Sequence, residues 1–315
     1  MASEYWIERE RENISREQMK DEEVIKELRR IINVAMEAAE EDIQAFWEKY
    51  AKRNKLTKAE AKQRVSQMDV QDFQETAARY VREKNFSDKA NRELSTYNTK
   101  MYINRQELLM MHLNAHLVAM ADDQVKTFQS YLEQAGIDEV ARQAGILGVN
   151  MAISQATLQS LVGASFHGAT WSTRIWGDME KLRSELDEII NSSIIRGVHP
   201  DRFVPRIRER FDVGAYEARR LLITETARVQ VESQKLSYEA LAGDGEELHY
   251  EFVAMMDHRT SRRCRNLNGE TFKVSDMKPG INAPPLHPHC RSSTVLSLGE
   301  WREDFFAERE GKYTL

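Results

Sequence analysis

Two cysteines and two histidines near the C-terminal end of the sequence have side chains of the types that bind zinc in proteins. They are Cys264, His287, His289 and Cys290. Thiolate and imidazole are good zinc ligands, and Cys264, His287 and Cys290 are the metal candidates because neighbours such as His289 and Cys290 seldom bind one ion together. The spacing contains no C-x-x-C pair, however. The alternative is that the two thiols pack against each other or form a disulfide.

Three charged residues, Asp257, Arg259 and Arg291, lie in the same region. A carboxylate beside guanidinium groups suits a catalytic acid with electrostatic helpers. It equally suits an ion-pair network, because the guanidinium fork matches a carboxylate with two hydrogen bonds. The network is favoured, since no nucleophile, phosphate-binding glycine loop or clustered carboxylate pair accompanies these residues. We therefore expect no catalytic residues and no enzymatic activity.

The segment 196–220 is locally basic, with seven arginines against four acidic residues. Four of them could contact double-stranded DNA phosphates from one face: Arg202, Arg206, Arg208 and Arg210. Few aromatic residues lie among them to stack on single-stranded bases. The chain also has a net charge of -6, which argues against a dedicated nucleic-acid wrapper. A solvated surface is the alternative interpretation.

His112 and His116 have the four-residue spacing of a helical metal pair. The residues between them are Leu-Asn-Ala, so the glutamate of the H-E-x-x-H metalloprotease motif is missing. Both histidines flank a Leu- and Met-rich stripe. We expect them to pack beside that apolar face rather than to bind a metal.

The elements that must position these residues are mostly helices. The first glycine is Gly136 and the first proline is Pro200, so the two strongest helix breakers are missing before residue 136. Residues 1–136 are predicted to form an elongated helical arm, whose last helix runs from near Asn104 to a C-cap at Gly136.

Residues 137–243 are predicted to form a helical middle region. It contains a helix over 178–196, whose buried stripe would be Leu182, Leu186, Ile189 and Ile190. The tetrapeptide at 172–175 predicts a short strand or a turn. A short amphipathic helix containing Phe203, Ile207 and Phe211 should precede a separate long helix over 216–241.

The character of the sequence changes over residues 244–299. The segments 249–254 and 271–274 favour strands, and Asn268-Gly269 is a strong turn dipeptide, so a β-hairpin is predicted. Four of the six prolines then lie between Pro279 and Pro288 and predict a rigid loop. Residues 300–315 are predicted to form a tail. The predicted fold is mainly α, with a small α+β C-terminal domain built from this hairpin and Pro-rich loop.

The order of residues over 171–295 resembles the minor head protein, or head morphogenesis, family of tailed phages (Mu F-like). The resemblance rests on Asp-x-Arg-Thr, a following cysteine, Asn-Gly, and Pro-Pro-x-His-Pro-x-Cys-Arg, preceded by a helix with R-x-x-x-x-T-E-x-x-R. The signature residues that it identifies, to which the resemblance assigns structural roles, are Glu225, Asp257, Arg259, Cys264, Gly269, His287, Pro288, Cys290 and Arg291.

Family members typically have two further cysteines, giving C-x-x-C and C-x-C, where this chain has Ser261 and Ser292. One member of each pair is therefore missing. The resemblance thus implies the loss of one whole cross-link rather than the decay of a four-ligand metal site. It favours a structural contact between Cys264 and Cys290, and no resident cofactor, over zinc.

The resemblance implies a non-enzymatic virion component that enters the procapsid with the portal protein. It would be assembled in the host cytoplasm and lie in the virion interior near the portal. Its roles would be head assembly, DNA packaging or DNA ejection, with the scaffold or major capsid protein as further partners. The alternatives are a DNA-binding internal virion protein delivered with the genome, and a zinc-dependent hydrolase that uses the Cys/His cluster.

Two further expectations follow from the sequence. The chain has no apolar run approaching the roughly 20 residues that span a bilayer, so no membrane partner is expected. If the helical arm faces the partner, deleting residues 1–135 should leave a folded C-terminal domain that no longer enters procapsids.

Overall fold

The computed structural model describes residues 4–51, 105–148, 150–195, 199–242 and 247–297. The predicted tail, the central part of the predicted arm, and the helix ends expected at 196–197 and 243 lie outside these residues. The described helices are α1 (Glu4–Ala51), α2 (Arg105–Leu147), α3 (Gln155–Val162), α4 (Trp171–Ile195), α5 (Val204–Leu241) and α6 (Arg262–Leu267). The described strands are β1 (His249–Ala254), β2 (Thr271–Lys273) and β3 (Ser292–Ser297). The mainly helical fold with a small C-terminal sheet is as predicted.

Gly136 does not end a helix, so the predicted C-cap is wrong. Helix α2 continues through it to Leu147, and Gly136 is buried. A Cβ atom at this position would lie 2.9 Å from Leu158 Cδ1 and 3.4 Å from Val229 Cγ1. The glycine therefore allows α3 and α5 to pack closely against α2, which is a role that composition alone does not distinguish from capping.

Two helices are longer than predicted. Helix α4 begins at Trp171, so the strand or turn expected at 172–175 is wrong. Helix α5 is one continuous element, where a short and a long helix were expected. Gly177 and Gly214 lie inside these helices with open space around them, so neither of them is required for a turn. The buried stripe predicted for α4 is confirmed, with all four residues at most 6% exposed.

The chain divides into two compact units. Unit 1 contains Met1–Lys26, Thr127–Trp171 and Arg219–Leu315; unit 2 contains Glu27–Lys126 and Ser172–Ala218. The described buried apolar residues of unit 2 come from four helices and include Leu28, Ile32, Ile43, Leu113, Leu117, Leu186, Ile190, Ile207 and Phe211. Unit 1 combines helical segments with the sheet.

The sheet of unit 1 has the strand order β2-β1-β3, and both pairs are antiparallel. Tyr250 lies opposite Phe272 in β2 and opposite Leu296 in β3. The predicted pairing of 249–254 with 271–274 is confirmed, but α6 lies between the strands, so they are not joined by a simple two-residue turn. The third strand, β3, was not predicted. It makes the longer ladder, covering all six residues of β1.

The start of α1 packs against this sheet. Trp6 is 6% exposed and shares a core with Tyr238, Tyr250 and Leu296. Arg11 donates a hydrogen bond to the carbonyl of Ala254 at the end of β1. These contacts oppose the expectation that deletion of residues 1–135 leaves a folded C-terminal domain, because the deletion would remove part of that domain's core.

A buried polar network reinforces the packing of α1, α2 and β3. Arg142 donates two hydrogen bonds to the carboxylate of Glu10 (2.9 and 3.0 Å) and also pairs with Glu139. Ser293 in β3 donates to Glu10 at 2.6 Å, and Gln234 donates to Ser293 at 3.0 Å. Burial raises the pKa of Glu10, and the charge of Arg142 opposes that rise. A buried pair of this kind is costly to break, because removal of one partner leaves the other charge uncompensated.

Within the described ranges, each helix is too short or too polar to cross a membrane.

Candidate functional site

Cys264 lies in the first turn of α6, where the local sequence fixes its position. Ser261 is the N-cap, and its hydroxyl accepts a hydrogen bond from the Cys264 backbone N–H at 3.2 Å. Serine is a favoured N-cap because its oxygen satisfies one of the free backbone donors at a helix start. The side chain of Cys264 therefore points from an ordered turn into the core, and the residue is 2% exposed.

The other candidate ligands lie on a tight turn in the Pro-rich loop. The Cys290 N–H donates to the His287 carbonyl at 3.2 Å, and His289 between them has a φ of 58°. Positive φ is uncommon outside glycine and lets the chain reverse here. The turn brings the side chains of residues 287 and 290 to one side, as a two-residue ligand spacing does in zinc proteins.

One hydrogen bond determines which nitrogen of His287 faces the cluster. The backbone carbonyl of Pro288 lies 2.7 Å from Nδ1 of His287, and since a carbonyl only accepts, Nδ1 carries the proton. In the neutral ring, Nε2 is then an unprotonated acceptor. Nε2 lies 3.2 Å from Cys264 Sγ.

The three side chains converge on one point. Cys264 Sγ lies 3.6 Å from Cys290 Sγ, both cysteines are free, and all three ligand atoms lie within 4.8 Å of one another. The sequence prediction that grouped these residues thus corresponds to a real cluster. Apolar side chains surround it: Phe252, Ala254, Leu286, and in part Leu267 and Phe272.

The serines at the positions of the missing family cysteines also lie at this cluster. The side chains of Ser261 and Ser292 both lie near the Cys264 sulfur, and Ser292 also lies near Cys290. All four positions thus lie around one site, and the loss of one whole cross-link stays a prediction. Sequence spacing could not show this, since the two segments are joined only through the fold.

The two thiols have pKa values that are shifted in opposite directions. A hydrogen bond from Cys290, assisted by Ser261 and Ser292, lowers the pKa of Cys264 from 9.0 to about 5, against the effect of burial. Hydrogen bonding to that thiolate, together with burial, raises the pKa of Cys290. The pair thus has one readily lost proton and one tightly held proton, as expected for coupled neighbouring groups.

Asp257 organises the loop that precedes α6. Its carboxylate accepts hydrogen bonds from the Arg259 N–H at 2.9 Å and the Thr260 hydroxyl at 3.0 Å. Arg291 donates two more, at 2.7 and 2.5 Å, and holds the pKa of Asp257 well below its ordinary value. The Arg259 side chain is 65% exposed and only 3.9 Å from the carboxylate. Because Arg291 directly precedes β3, its two hydrogen bonds to Asp257 connect this loop to the start of that strand.

Two further contacts hold the Pro-rich loop to α6. Arg263, a residue not singled out from the sequence, donates to the carbonyls of Leu286 (2.9 Å) and Gly280 (2.7 Å).

The signature glycine, Gly269, adopts a φ of 85° and donates its N–H to the carbonyl of Phe252. Signature residue Pro288 is exposed, and its carbonyl holds His287 as described above.

Glu225 pairs within its own helix. It accepts a hydrogen bond from Arg228 at 2.6 Å, and both side chains are 1% exposed. Arg228 also donates to the carbonyls of Leu161 and Val162 at 2.9 and 3.0 Å, the last residues of α3. The pair therefore satisfies unpaired carbonyls at a buried helix end, a role that sequence spacing did not reveal.

The arginines considered for DNA contact lie in unit 2 and differ in their surroundings. Arg208 makes a two-pronged pair with Glu40, and Arg210 lies 3.8 Å from Glu185. Arg202 and Arg206 are exposed. Two of the four positive charges are thus matched by nearby carboxylates, which weakens a common phosphate-binding face.

The helical pair His112 and His116 is buried in unit 2 beside Asp42 of α1. One Asp42 oxygen lies 2.8 Å from His116 Nε2 and 3.8 Å from His112 Nδ1. Hydrogen bonding to a carboxylate accounts for the burial of the His116 ring.

Comparison with known proteins gives one family match. Residues 184–295 match the family model described as phage Mu protein F like protein. The matched segment includes the C-terminal part of α4 from Ser184, all of α5, the sheet as far as Val295, and the Pro-rich loop. No curated protein and no solved structure matches the chain significantly.

Proposed function

From the premise that residues 184–295 form a phage Mu protein F-like domain, we propose that the chain is a minor capsid (head morphogenesis) protein of a tailed phage. It associates with the portal protein inside the procapsid and acts in head assembly, DNA packaging or DNA ejection. The family match is the observation that carries this proposal. The predicted resemblance to this family is confirmed over the matched residues; the role at the portal is our inference.

The geometry of the site supports a structural role over a catalytic one. Cys264 and Cys290 are each 2% exposed. Glu225 is buried and pairs with Arg228, which donates hydrogen bonds to carbonyls at the end of α3. Asp257 is occupied by Arg291 and by the backbone of its own loop. Groups engaged in this way stabilise a domain, whereas a nucleophile or general acid needs access to substrate. A non-enzymatic protein is therefore our proposal, and a zinc hydrolase is not favoured.

The test is quantitative mass spectrometry of purified procapsids and DNA-filled virions from the source phage. A few copies per particle, in a fixed ratio to portal subunits, are expected. A phage lacking the gene, complemented by the wild-type chain or by an empty vector, provides the control. Without the protein, heads should assemble aberrantly, fail to fill with DNA or fail to deliver it. Absence of the chain from both particles would refute the proposal.

The alternative of a DNA-binding internal virion protein now rests on Arg202 and Arg206. We predict that any affinity for double-stranded DNA falls steeply with salt and that replacing both by alanine reduces the salt slope by about 2. Arg208→Ala serves as a comparison, because Glu40 already neutralises that charge. Fluorescence anisotropy over a salt series measures both quantities. Binding that is absent, or unaffected by salt, would remove this alternative.

A further inference from the structure

The cluster of Cys264, His287 and Cys290 has the separations that a tetrahedral metal ion needs. With Zn–S near 2.3 Å and Zn–N near 2.05 Å, two sulfur ligands lie about 3.8 Å apart and a sulfur and a nitrogen about 3.6 Å apart. The corresponding separations here are 3.6 Å (Sγ to Sγ) and 3.2 Å (Sγ to Nε2). The third separation, between Cys290 Sγ and His287 Nε2, is at most 4.8 Å. A modest adjustment of these side chains would therefore place one ion among the three atoms.

The surroundings of these atoms also match those of a metal centre. The Nδ1–H of His287 is held by a backbone carbonyl, which is the usual outer contact of a metal-binding imidazole and leaves Nε2 free to bind. The ligands lie on two ordered elements, the first turn of α6 and the tight turn at 287–290, so little ordering would be needed on binding. Buried apolar side chains shield the site from solvent.

We propose that Cys264, His287 and Cys290 bind one zinc ion that joins α6 to the Pro-rich loop. Both sulfurs bind as thiolates, so binding releases their protons, and the imidazole binds through Nε2. The soft sulfur ligands select zinc over magnesium or calcium, which prefer oxygen.

The first experiment measures metal in the full-length chain, purified under reducing conditions. Inductively coupled plasma mass spectrometry should find about one zinc per chain, and zinc should raise the melting temperature of chelator-stripped protein. Cys264→Ser and His287→Ala should each weaken zinc binding by more than about 100-fold, beyond the usual effect of losing an outer contact. His258→Ala is the matched control, because this exposed histidine lies in the preceding loop and should retain the metal.

A gain-of-function variant keeps the test valid if a ligand substitution unfolds the domain. Ser292→Cys adds a third thiolate beside the other two and should tighten zinc binding by at least about tenfold, because structural zinc sites prefer four protein ligands. Cobalt provides a spectroscopic check: the wild-type chain should show a thiolate-to-cobalt charge-transfer band, and the band should be stronger in Ser292→Cys.

Several results would overturn the proposal. The stripped, reduced protein could fail to bind zinc or cobalt, or the metal content could be unchanged in both ligand variants. The unreduced protein could carry a Cys264–Cys290 disulfide and, once reduced, still bind no metal. In each case, the cluster would be a packing contact between two thiols and an imidazole.

Discussion

At the scale of single residues, Asp21 should make stability depend on pH. It is 6% exposed and accepts a hydrogen bond from the Tyr131 hydroxyl at 2.9 Å. Burial raises the pKa of Asp21 from 3.8 to about 6. A carboxyl with a raised folded-state pKa contributes stability that is complete below its unfolded pKa and is lost as the pH rises through its folded pKa.

The wild-type protein should therefore lose stability as the pH rises from about 4 to about 7, and Asp21→Asn should not show this loss. The neutral amide can still accept the hydrogen bond of Tyr131, so the two proteins should be similar near pH 4. At pH 7 the variant should be more stable by about 2–3 kcal/mol, the equivalent of a shift of about two pKa units. Urea unfolding over this range gives the difference. Parallel pH profiles for the two proteins would contradict the assignment.

Arg291 should not tolerate replacement by lysine, because both prongs of its guanidinium bind Asp257. An ammonium group can replace the charge but not the planar fork. We expect Arg291→Lys to lower the free energy of unfolding by about 1–2 kcal/mol. Arg259→Lys provides the control: that side chain is 65% exposed, and the change should stay within about 0.5 kcal/mol. Equal effects of the two substitutions in urea denaturation would argue against the fork.

At the scale of elements, two glycines inside helices should respond oppositely to the same substitution. Gly177→Ala should stabilise the protein by about 0.5–1 kcal/mol, because alanine favours a helix and its methyl group meets open space. Gly136→Ala gains the same helix propensity but places its Cβ 2.9 Å from Leu158. Overpacking typically costs about 1–3 kcal/mol, so this variant should be destabilised. Thermal or urea unfolding of both variants measures the contrast; stabilisation of both would contradict the close packing of α2.

The elements also show what the sequence could and could not predict. Periodicity correctly located the stripe of α4 and the pairing of β1 with β2, because these are local patterns. Strand β3 was missed because it begins Ser-Ser-Thr and is buried at five of its six residues, so it has no alternation to detect. Its polar side chains find partners such as Glu10 and Gln234 far along the chain. The grouping of the cysteines with His287 was predicted from residue type. The position of Ser261 and Ser292 beside the same cluster could not be predicted, because only the folded chain brings these distant segments together.

At the scale of the whole molecule, the first turns of α1 should be as important to the C-terminal sheet as the sheet's own residues. Trp6→Ala should cost about 3–5 kcal/mol and reduce the hydrogen-exchange protection of β1 and β3 amides, because Trp6 lies in their core. Met19→Ala, on the same helix but 65% exposed, should change stability by less than about 0.5 kcal/mol. If protection of the strands survived Trp6→Ala, residues 1–136 would behave as the independent arm predicted from the sequence.

The contact between Ser293 and Glu10 joins residues 283 positions apart, and this separation has a consequence for synthesis on the ribosome. The opening turns of α1 are made first, yet their partners in β3 are among the last residues described. Until β3 leaves the ribosome, Trp6 and the Glu10–Arg142 pair lack part of their covering, and a nascent chain in that state exposes apolar surface to chaperones and to other chains. Completion of unit 1 is thus a late event that requires closure of a very long loop, and this favours slow folding.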